Sequence, residues 1–516
     1  MKRRRFLRHA THAAAVPGLL GTMGFSWGKN SLASLLQYAT DHDRVLVLIY
    51  LEGGNDGLNT VVPLDRLSQL NTVRPHVILP ESRLLPLSNS EVALHPSLSR
   101  FQSLYREGKL GIIQSVGYPE QNFSHFRSTD IWMSASDSQQ LVNSGWTGRY
   151  LNSQFPGYPE AFPNEDFTDP LAVEIGYGAS LLFQGPTAAM GMVVNNPESF
   201  YDLVDNVEEP TPHTLAGDKL KYLRLIARQS ETYGEVVTQA AANVTQQKEY
   251  PEGNWLAQQL KIVARLIAGG LRTPLYLVRL GGFDTHDNQV WADDHTQGEH
   301  ANLLRNLDVA IGTFLDDLEF LGVEDRVAGM TFSEFGRRIV SNASNGTDHG
   351  SAAPLFVFGK HVIGGVMGAN PVVDYTNTYA DNLPMQYDFR QIYASMLEQW
   401  LGVNAATNQQ IMLKSFETVP IIGESNIKTL SDDQMLKVYP NPVVGPTQVE
   451  FVTNGSPLEI DVIDLQGRSL QHIYSGSPTA GFTRITWNPG ALQTGQYLVV
   501  LKGLEKTVAQ RVIVAR

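Results

Sequence analysis

Five short, almost continuous apolar runs recur along the first three quarters of the chain. They occupy residues 45–51, 110–116, 275–280, 327–332 and 354–358. Runs of this length that are rich in Val, Ile, Leu and Phe are typical of strands buried on both faces of a parallel sheet. Between two of them, residues 301–321 repeat apolar side chains every three or four positions, which predicts an amphipathic crossover helix. Strands alternating with helices predict an α/β fold for residues 40–425.

The segment between residues 154 and 273 has a less regular pattern. Turn-rich stretches come first, and helical periodicity follows around residues 220–242 and 255–271. We interpret this segment as a cap or insertion on the α/β domain and not as a domain of its own.

The pattern changes after about residue 427, where apolar and polar residues alternate in short stretches separated by Gly, Pro and Asn. This alternation predicts a small antiparallel β-sandwich over residues 437–516, joined to the α/β domain by a linker at residues 426–436. A generic immunoglobulin-like binding module would have the same pattern.

The composition of the chain excludes several kinds of binding site and catalytic group. The net charge of −13 opposes non-specific binding to nucleic acid, because phosphate would be repelled. The chain contains no cysteine, which excludes disulfides, thiolate metal sites and cysteine nucleophiles. Any metal ion must therefore be held by carboxylates, imidazoles or hydroxyls.

The N-terminus has the order of an export signal over residues 1–35. Basic residues at Arg3, Arg4 and Arg5 precede Phe6-Leu7 and a mildly apolar stretch, which is similar to a twin-arginine signal. The alternative is an ordinary amphipathic first helix. The apolar stretch is too short for a membrane span, and no other segment predicts one. We therefore expect an exported protein without a transmembrane segment.

Polar side chains follow four of the predicted strands where each strand ends, and a fifth group lies in the loop that enters the last strand from that same side. They are Asp56; Ser124 and His125; Asp284 and His286; Glu334 and Arg337; and Asp348 and His349. Ligands of open α/β sheets bind outside the carboxyl ends of the strands. Carboxylates and imidazoles bind metals and a hydroxyl can act as a nucleophile, so the group predicts a metal-dependent site at this edge.

Each of these side chains also has a structural explanation when it is considered alone. Acidic and hydroxyl side chains at strand ends commonly form turns, cap helices or pair with arginine. The explanations are a turn at Asp56, an N-cap at Ser124, caps of the following helix at Asp284 and His286, and an ion pair of Glu334 with Arg337 or Arg338.

Six longer motifs follow one another between residues 44 and 403. They are GGNDGLNTVVP, SHFRSTDIW, SGWTGRYL, GGFDTHDNQ, FSEFGRR and TDHGSAAPLFVFG. In this order they resemble DUF1501, a bacterial family of sulfatase-like domains in the alkaline phosphatase-like superfamily. The resemblance implies an alkaline phosphatase-like sheet that holds two metal ions at its carboxyl edge and attacks the substrate with a hydroxyl.

The resemblance also implies a role for each candidate residue. Asp284, His286 and His349 would bind one metal, Asp56 would bind metal at the first strand, Glu334 would bind the other ion, and Ser124 would be the nucleophile. Asp348 would be a further ligand or would orient His349. Arg337 or Arg127 would hold the oxygens of the substrate, and His125 would protonate the leaving group or support another residue.

The function that follows is an exported hydrolase of anionic phosphate or sulfate esters that uses one or two divalent ions, such as Zn, Mn, Ca or Mg. The chain departs from the superfamily where Glu334 is followed by Phe335 instead of histidine. The Pro and Arg of the formylglycine sulfatase motif are absent around Ser124, which argues against that class. The alternative is a catalytically inactive surface protein that binds a glycan or protein partner on the same scaffold.

Three features of the last stretch carry a second resemblance. They are Tyr439-Pro440-Asn441-Pro442, the turn from Asp464 to Arg468, and Gly495-Gln496-Tyr497. Over its whole length the stretch resembles the type A C-terminal sorting domain of the type IX secretion system of Bacteroidetes. This implies that residues 437–516 bind the type IX machinery and that the protein passes through the periplasm to the cell surface or medium.

Overall fold

The computed structural model describes three ranges of the chain. They are residues 44–196 apart from 166 and 177, residues 233–423, and residues 436–515 apart from 440–442, 454–456, 465–467, 478–480, 491 and 504–506. The predicted export signal lies outside the described residues, as does nearly all of the predicted linker. The chain divides into two compact units, Met1–Gly423 and Glu424–Arg516. None of the helices in the described ranges has the length and hydropathy that crossing a bilayer requires.

Strands are distributed over the whole described chain. In chain order they are β1 Val45–Glu52, β2 Val61–Pro63, β3 Leu85–Pro86, β4 Val92–Leu94, β5 Leu110–Gly117, β6 Ala172–Ile175, β7 Met192–Val194, β8 Leu275–Gly281, β9 Val327–Phe332, β10 Gly336–Arg337, β11 His349–Gly350, β12 Ala353–Gly359, β13 Gly365–Met367, β14 Tyr387–Asp388, β15 Lys437–Tyr439, β16 Thr447–Thr453, β17 Leu458–Ile463, β18 Ser469–Gly476, β19 Gly481–Trp487, β20 Gly495–Gly503 and β21 Thr507–Val514.

Nine of these strands form the central sheet of the first unit. The order is β13-β5-β12-β9-β1-β8-β6-β7, and β14 also pairs with β5. All five predicted strands are present in this sheet, which confirms the α/β prediction. Eight strands run in one direction, whereas β12 is antiparallel to both of its neighbours, β5 and β9. This direction agrees with the expectation that the loop carrying Asp348 and His349 enters its strand from the carboxyl side of the sheet. The chain passes from β11 through a short loop into β12, and no crossover helix lies between β9 and β12. A parallel strand would need such a crossover to return the chain to the other edge of the sheet, so β12 is antiparallel.

The cap predicted between residues 154 and 273 needs correction. Strands β6 and β7 lie in this segment, and both are parallel members of the central sheet, with β6 paired to β8. At four and three residues they are too short to stand out as apolar runs, and turns surround them. The described part of this segment therefore extends the sheet.

Helices cover both faces of the central sheet. Their bounds are Gly57–Thr60, Leu67–Val73, Ser99–Arg106, His125–Ser134, Trp146–Gln154, 233–242, Trp255–Ala268, Glu299–Phe320, Phe389–Ser395 with a π-helical continuation Met396–Trp400, and Ala405–Met412. Short 3-10 turns occur at Leu64–Arg66, Glu81–Arg83, Leu181–Phe183 and Glu324–Arg326. Val47 and Ile49 of β1 face a core shared with the helices at 255–268 and 299–320. Leu46 and Leu48 face a second core shared with the helix at 389–395, so the unit is a three-layer α/β/α structure.

The second unit is entirely β-structure in its described part. Strands β15, β16 and β19 form one antiparallel sheet, and β18, β17, β20 and β21 form another. Val449 and Phe451 of the first sheet share a buried core with Ile460 and Val499 of the second. The alternation of apolar and polar residues predicted this arrangement of two sheets around one core.

Candidate active site

The candidate site lies at the carboxyl edge of the central sheet. Strands β1, β5, β8 and β9 end at this edge, and the segments that follow them carry most of the predicted residues. Because β12 runs in the opposite direction, it begins here, and β11 immediately before it supplies His349. A single reversed strand therefore brings a late part of the chain to the edge where the parallel strands end.

Three histidines meet around the carboxylate of Asp284. The Nε2 atoms of His349 and His286 lie 3.0 Å and 3.2 Å from Asp284 Oδ1, and His125 Nε2 lies 3.4 Å from Oδ2. The Nε2 atoms of His286 and His349 are 2.9 Å apart. One ligand atom from each of His125, Asp284 and His349 lies within 4.8 Å of the others. The Asp284 side chain is 48% exposed, so the cluster is open to solvent.

Each histidine uses its other ring nitrogen to contact an oxygen acceptor. His125 Nδ1 lies 2.8 Å from Glu334 Oε1, and His286 Nδ1 lies 3.1 Å from Asp348 Oδ1. His349 Nδ1 lies 2.8 Å from the backbone oxygen of Phe123. A carbonyl or carboxylate oxygen can only accept, so these contacts place a proton on each Nδ1 atom.

A proton on Nδ1 leaves a lone pair on Nε2 in a neutral imidazole. The three Nε2 lone pairs then face one another and the Asp284 carboxylate, with the ring nitrogens of His286 and His349 only 2.9 Å apart. Such an arrangement needs protons or a cation between the acceptors. Three imidazoles fixed by hydrogen-bond acceptors, together with one carboxylate, form a donor set that fits a divalent transition-metal ion.

The electrostatics of the cluster keep its carboxylate ionised. Burial opposes ionisation of Asp284, but the hydrogen bond from Arg337, together with the contact to His349, outweighs it and lowers the pKa of the carboxyl to about 2. The hydrogen bond to Glu334 raises the pKa of His125 against the opposing effect of burial. Burial lowers the pKa of His349, which favours its neutral, metal-binding form.

Glu334 and Asp348 lie behind the histidines. The Glu334 side chain is completely buried, and its Oε1 atom accepts the backbone N–H of Gly53 at 2.9 Å as well as contacting His125. Asp348 accepts a hydrogen bond from Asn342 Nδ2 at 3.1 Å, and Asn342 also donates to the backbone oxygen of His286. Both carboxylates therefore contact ring nitrogens that point away from the centre of the cluster.

Arg337 is buried and fully occupied by contacts within the protein. Its Nε and Nη1 atoms donate to the backbone oxygens of Gly54 and Thr347, each at 2.7 Å. Its Nη2 atom donates to Asp284 Oδ1 at 2.8 Å and to the backbone oxygens of Phe283 and Gly53. The guanidinium thus ties Asp284 to the loops around it.

Arg127, the other predicted contact to substrate oxygens, is also committed to the protein. Its guanidinium donates to the backbone oxygens of Asp137, Ser138 and Gln140. These bonds fix the loop after the helix at 125–134.

Asp56 is buried beside the cluster but has other partners. Its Oδ2 atom accepts hydrogen bonds from Arg74, whose side chain is fully buried, and from Gln289 Nε2 at 2.6 Å. Arg74 also donates to the backbone oxygens of Arg338 and Ile339. The structure therefore does not bring Asp56 together with His125, Asp284 and His349.

Ser124 occupies the N-cap position of the helix at 125–134. Its backbone is extended, with φ −85° and ψ 126°, but its hydroxyl makes no capping hydrogen bond. The residue is exposed and stands between Phe123, whose carbonyl contacts His349, and His125. Ser124 is thus an exposed residue whose two neighbours in sequence both contact the histidine cluster.

Two supporting residues were not predicted. Phe335 packs against the rings of His125 and His349, with centroid distances of 4.9 Å and 4.4 Å. Its position next to Glu334 in the motif FSEFGRR could have indicated that it lies at the site. Asn342 lies in a polar loop of ordinary composition, so the sequence offered no comparable signal.

Two different family models match the chain, one in each unit. A family model described as protein of unknown function (DUF1501) matches residues 109–411, and a model described as secretion system C-terminal sorting domain matches residues 437–515. No curated protein matches the chain.

Several solved structures resemble the chain. An alkaline phosphatase superfamily protein from Vibrio parahaemolyticus is 10% identical, and the match covers 92% of this chain and 83% of that one, with a TM-score of 0.34. The PsFucS1 sulfatase from Pseudoalteromonas sp. is 10% identical, with coverages of 93% and 89% and a TM-score of 0.33. PorZ, a surface component of the type IX secretion system of Porphyromonas gingivalis, is 24% identical over 18% of this chain and only 13% of its own, with a TM-score of 0.14.

Proposed function

The chain belongs to the DUF1501 family, and we propose that it is a metal-dependent hydrolase of phosphate or sulfate esters with Ser124 as its nucleophile. One observation carries the proposal. Three histidine Nε2 atoms and the Asp284 carboxylate converge beside an exposed serine hydroxyl, and each of those histidines is oriented through its Nδ1 atom.

The C-terminal unit determines where this chemistry would take place. Its sorting domain indicates export through type IX secretion to the cell surface or the outside of the cell. The substrate of the proposed reaction would therefore be an ester that is available outside the cell.

We propose His125, Asp284, His286 and His349 as the metal ligands. Three imidazoles favour zinc or another transition ion over calcium or magnesium, which prefer oxygen ligands. When bound, a divalent ion would supply positive charge that neutralises the ester oxygens and favours the ionised form of a nearby hydroxyl.

The remaining predicted residues take supporting roles in this proposal. Glu334 and Asp348 orient the rings of His125 and His286, and Arg337 fixes the Asp284 carboxylate. Such contacts to a ligand's far side set its orientation and basicity. This reassigns His125 from leaving-group acid to ligand, Glu334 and Asp348 from ligands to orienting groups, and Arg337 from substrate contact to structural clamp.

Ser124 is suited to attack because nothing in the protein occupies its hydroxyl as a helix cap. The first turn of the helix at 125–134 directs backbone N–H groups towards the same place, and a helix N-terminus favours negative charge. Both the ionised hydroxyl of Ser124 and the anionic ester that it attacks would be stabilised at this helix N-terminus.

A non-catalytic binding protein is the second candidate, and one observation favours it. Arg74 pairs with Asp56 and holds it in the interior, so the described residues offer one metal cluster where the resemblance implies two. One ion could serve a structural role in a protein that binds a glycan or another protein.

Metal analysis and an ester panel separate these candidates. We expect the purified full chain to hold about one equivalent of a transition ion and to hydrolyse at least one phosphate or sulfate ester. Ser124→Ala should abolish hydrolysis and leave metal content unchanged, whereas Ser103→Ala on a distant helix should change neither. Equal hydrolysis by wild type and Ser124→Ala would exclude Ser124 as the nucleophile. Bound metal without hydrolysis of any ester would favour the binding protein.

A further inference from the structure

We propose that Arg338 forms a second anion-binding subsite beside the histidine cluster, so that the substrate is an ester carrying two anionic groups. The inference rests on the proposed function and specifies its substrate class. It starts from the contrast between two adjacent arginines, Arg337 and Arg338, at the same edge of the sheet.

Arg338 is held next to the cluster by its backbone and its side chain. Its N–H donates to the backbone oxygen of Asp348 at 2.9 Å, and its Nε atom donates to the backbone oxygen of His349 at 3.1 Å. Its Nη1 atom donates to the backbone oxygen of Tyr379 at 2.7 Å. The position of the guanidinium is therefore fixed relative to the two residues that deliver the last part of the cluster.

The charge of Arg338 has no carboxylate partner within ion-pair distance among the described residues. The side-chain acceptors named above are all neutral backbone carbonyls, in contrast to Arg337, which pairs with Asp284. Asp381 feels the positive charge of Arg338, but its carboxylate accepts hydrogen bonds from the backbone and hydroxyl of Thr378. A half-buried guanidinium without a paired anion is unusual in a chain with a net charge of −13.

One aromatic ring packs against this guanidinium. It lies over the ring of Phe123, with 5.4 Å between Cζ and the ring centroid, and Phe123 is 37% exposed. Tyr379, whose carbonyl accepts from Arg338, is 53% exposed. A fixed cation beside an exposed aromatic ring recognises a flat or ring-shaped molecule that carries an anionic group.

The position of the Arg338 guanidinium relative to the histidine cluster defines the class of substrate. The scissile ester would be bound at the histidine side chains, while Arg338 contacts the backbone oxygen of His349. An anion at Arg338 would thus be a second group on the same ligand and not the group that is cleaved. A ring bearing two phosphate or two sulfate groups, such as a multiply charged saccharide, fits this arrangement.

Equilibrium binding to the full chain tests the subsite without requiring turnover. The probes are glucose 6-phosphate against glucose 1,6-bisphosphate, and glucosamine 6-sulfate against N-sulfoglucosamine 6-sulfate. We expect wild type to bind the doubly charged member of at least one pair more tightly, and we expect Arg338→Ala to lose about 10- to 100-fold for that member only. Arg338→Lys should retain part of the preference, because it keeps the charge but not the planar fork.

The outcomes decide the inference independently of catalysis. A preference that Arg338→Ala removes supports the subsite even if no ester is hydrolysed. Absence of a preference in wild type, or an equal preference in Arg338→Ala, overturns it, even if Ser124-dependent hydrolysis is found. If Arg338→Ala loses metal, Arg338→Gln replaces it, since its amide can still donate to the His349 carbonyl; an unchanged preference in that variant would overturn the inference as well.

Discussion

At the residue scale, the candidate site depends on how each imidazole is held from behind. Glu334 is the most buried of the three groups that contact an Nδ1 atom, and it also accepts the N–H of Gly53. The other two acceptors are the carboxylate of Asp348 and the carbonyl of Phe123. Removing the charge of Glu334 therefore tests how much this support contributes to metal binding.

We expect Glu334→Gln to lower metal affinity by about 10- to 100-fold, because the amide orients His125 less firmly and makes it less basic. Competition with a chelating indicator measures the affinity. Glu174→Gln is the matched control, since Glu174 is also a buried glutamate but pairs with Arg279 away from the cluster. Identical affinities for wild type and Glu334→Gln would contradict the orienting role.

Ser124 gives a second prediction at this scale. Its hydroxyl does not cap its helix, so Ser124→Ala should change the free energy of unfolding by less than about 0.5 kcal/mol. Asn404 is an exposed N-cap whose side chain accepts from the N–H of Thr407 at 3.0 Å. Asn404→Ala should therefore cost about 1 kcal/mol. Urea unfolding of both variants measures this, and equal costs would show that Ser124 is a structural cap after all.

At the scale of the element, a side chain from one helix caps the N-terminus of another helix. Asp308 in the helix at 299–320 accepts the backbone N–H groups of Arg100 and Phe101 at 3.0 Å and 2.8 Å, in the first turn of the helix at 99–106. The N-cap residue of that helix, Leu98, has no side-chain oxygen to do so. The carboxylate of Asp308 thus replaces a local cap with one from a distant part of the chain.

This arrangement predicts a pH-dependent stability. Burial raises the pKa of Asp308 to about 6, despite its hydrogen bonds to Arg100 and Phe101. The folded state therefore binds a proton between about pH 4 and pH 6 that the unfolded state does not, and the stabilisation by this proton is lost as pH rises through 6. Relative to Asp308→Asn, the free energy of unfolding of wild type should fall by up to about 3 kcal/mol as the pH rises from about 4 to about 6.

Urea unfolding with a chelator present checks the difference at several pH values. Asp316→Asn is the control on the same helix, because Asp316 forms an exposed ion pair with Arg100. Its effect should stay below about 1 kcal/mol. A pH-independent difference between wild type and Asp308→Asn would show that Asp308 does not titrate in this range.

The elements also show what the sequence could and could not predict. Strands buried on both faces leave continuous apolar runs, so all five were found, and the helix at 299–320 was found from its periodicity. Periodicity carries no information on strand direction, and the direction of β12 was implied only by the expected entry of the loop with Asp348 and His349 from the carboxyl side. The rule that sites form at carboxyl ends grouped Asp284, His286 and His349, whose side chains lie close together in the structure. It could not distinguish a carboxylate inside the cluster from one behind a ring, such as Glu334, nor foresee that Arg74 would pair with Asp56.

At the scale of the whole molecule, the chain combines a unit that holds the candidate site with a unit matched by a sorting domain. Each unit has its own core among the described residues. All residues of the histidine cluster lie in the first unit. Folding of the first unit should therefore not require the second.

We expect deletion of residues 437–516 to leave a folded α/β unit that retains its metal and accumulates in the periplasm. Cell fractionation locates the truncated protein, and metal content verifies that it is folded. The full chain, expressed in the same cells, is the control and should be found at the surface or in the medium. Release of the truncated protein to the surface would contradict the sorting role of these residues.

The reversed strand β12 has a consequence for the order of folding. His125 and Glu334 are 209 positions apart, and Asp284 and His349 are 65 positions apart. Their contacts have high contact order, so they form only after β5, β8, β9 and β12 have paired. An ion cannot assemble this cluster from a loose chain in the way that zinc folds a small finger domain. Under the proposed function, metal uptake would therefore be a late event, and a bound ion would distinguish completely folded molecules from compact intermediates.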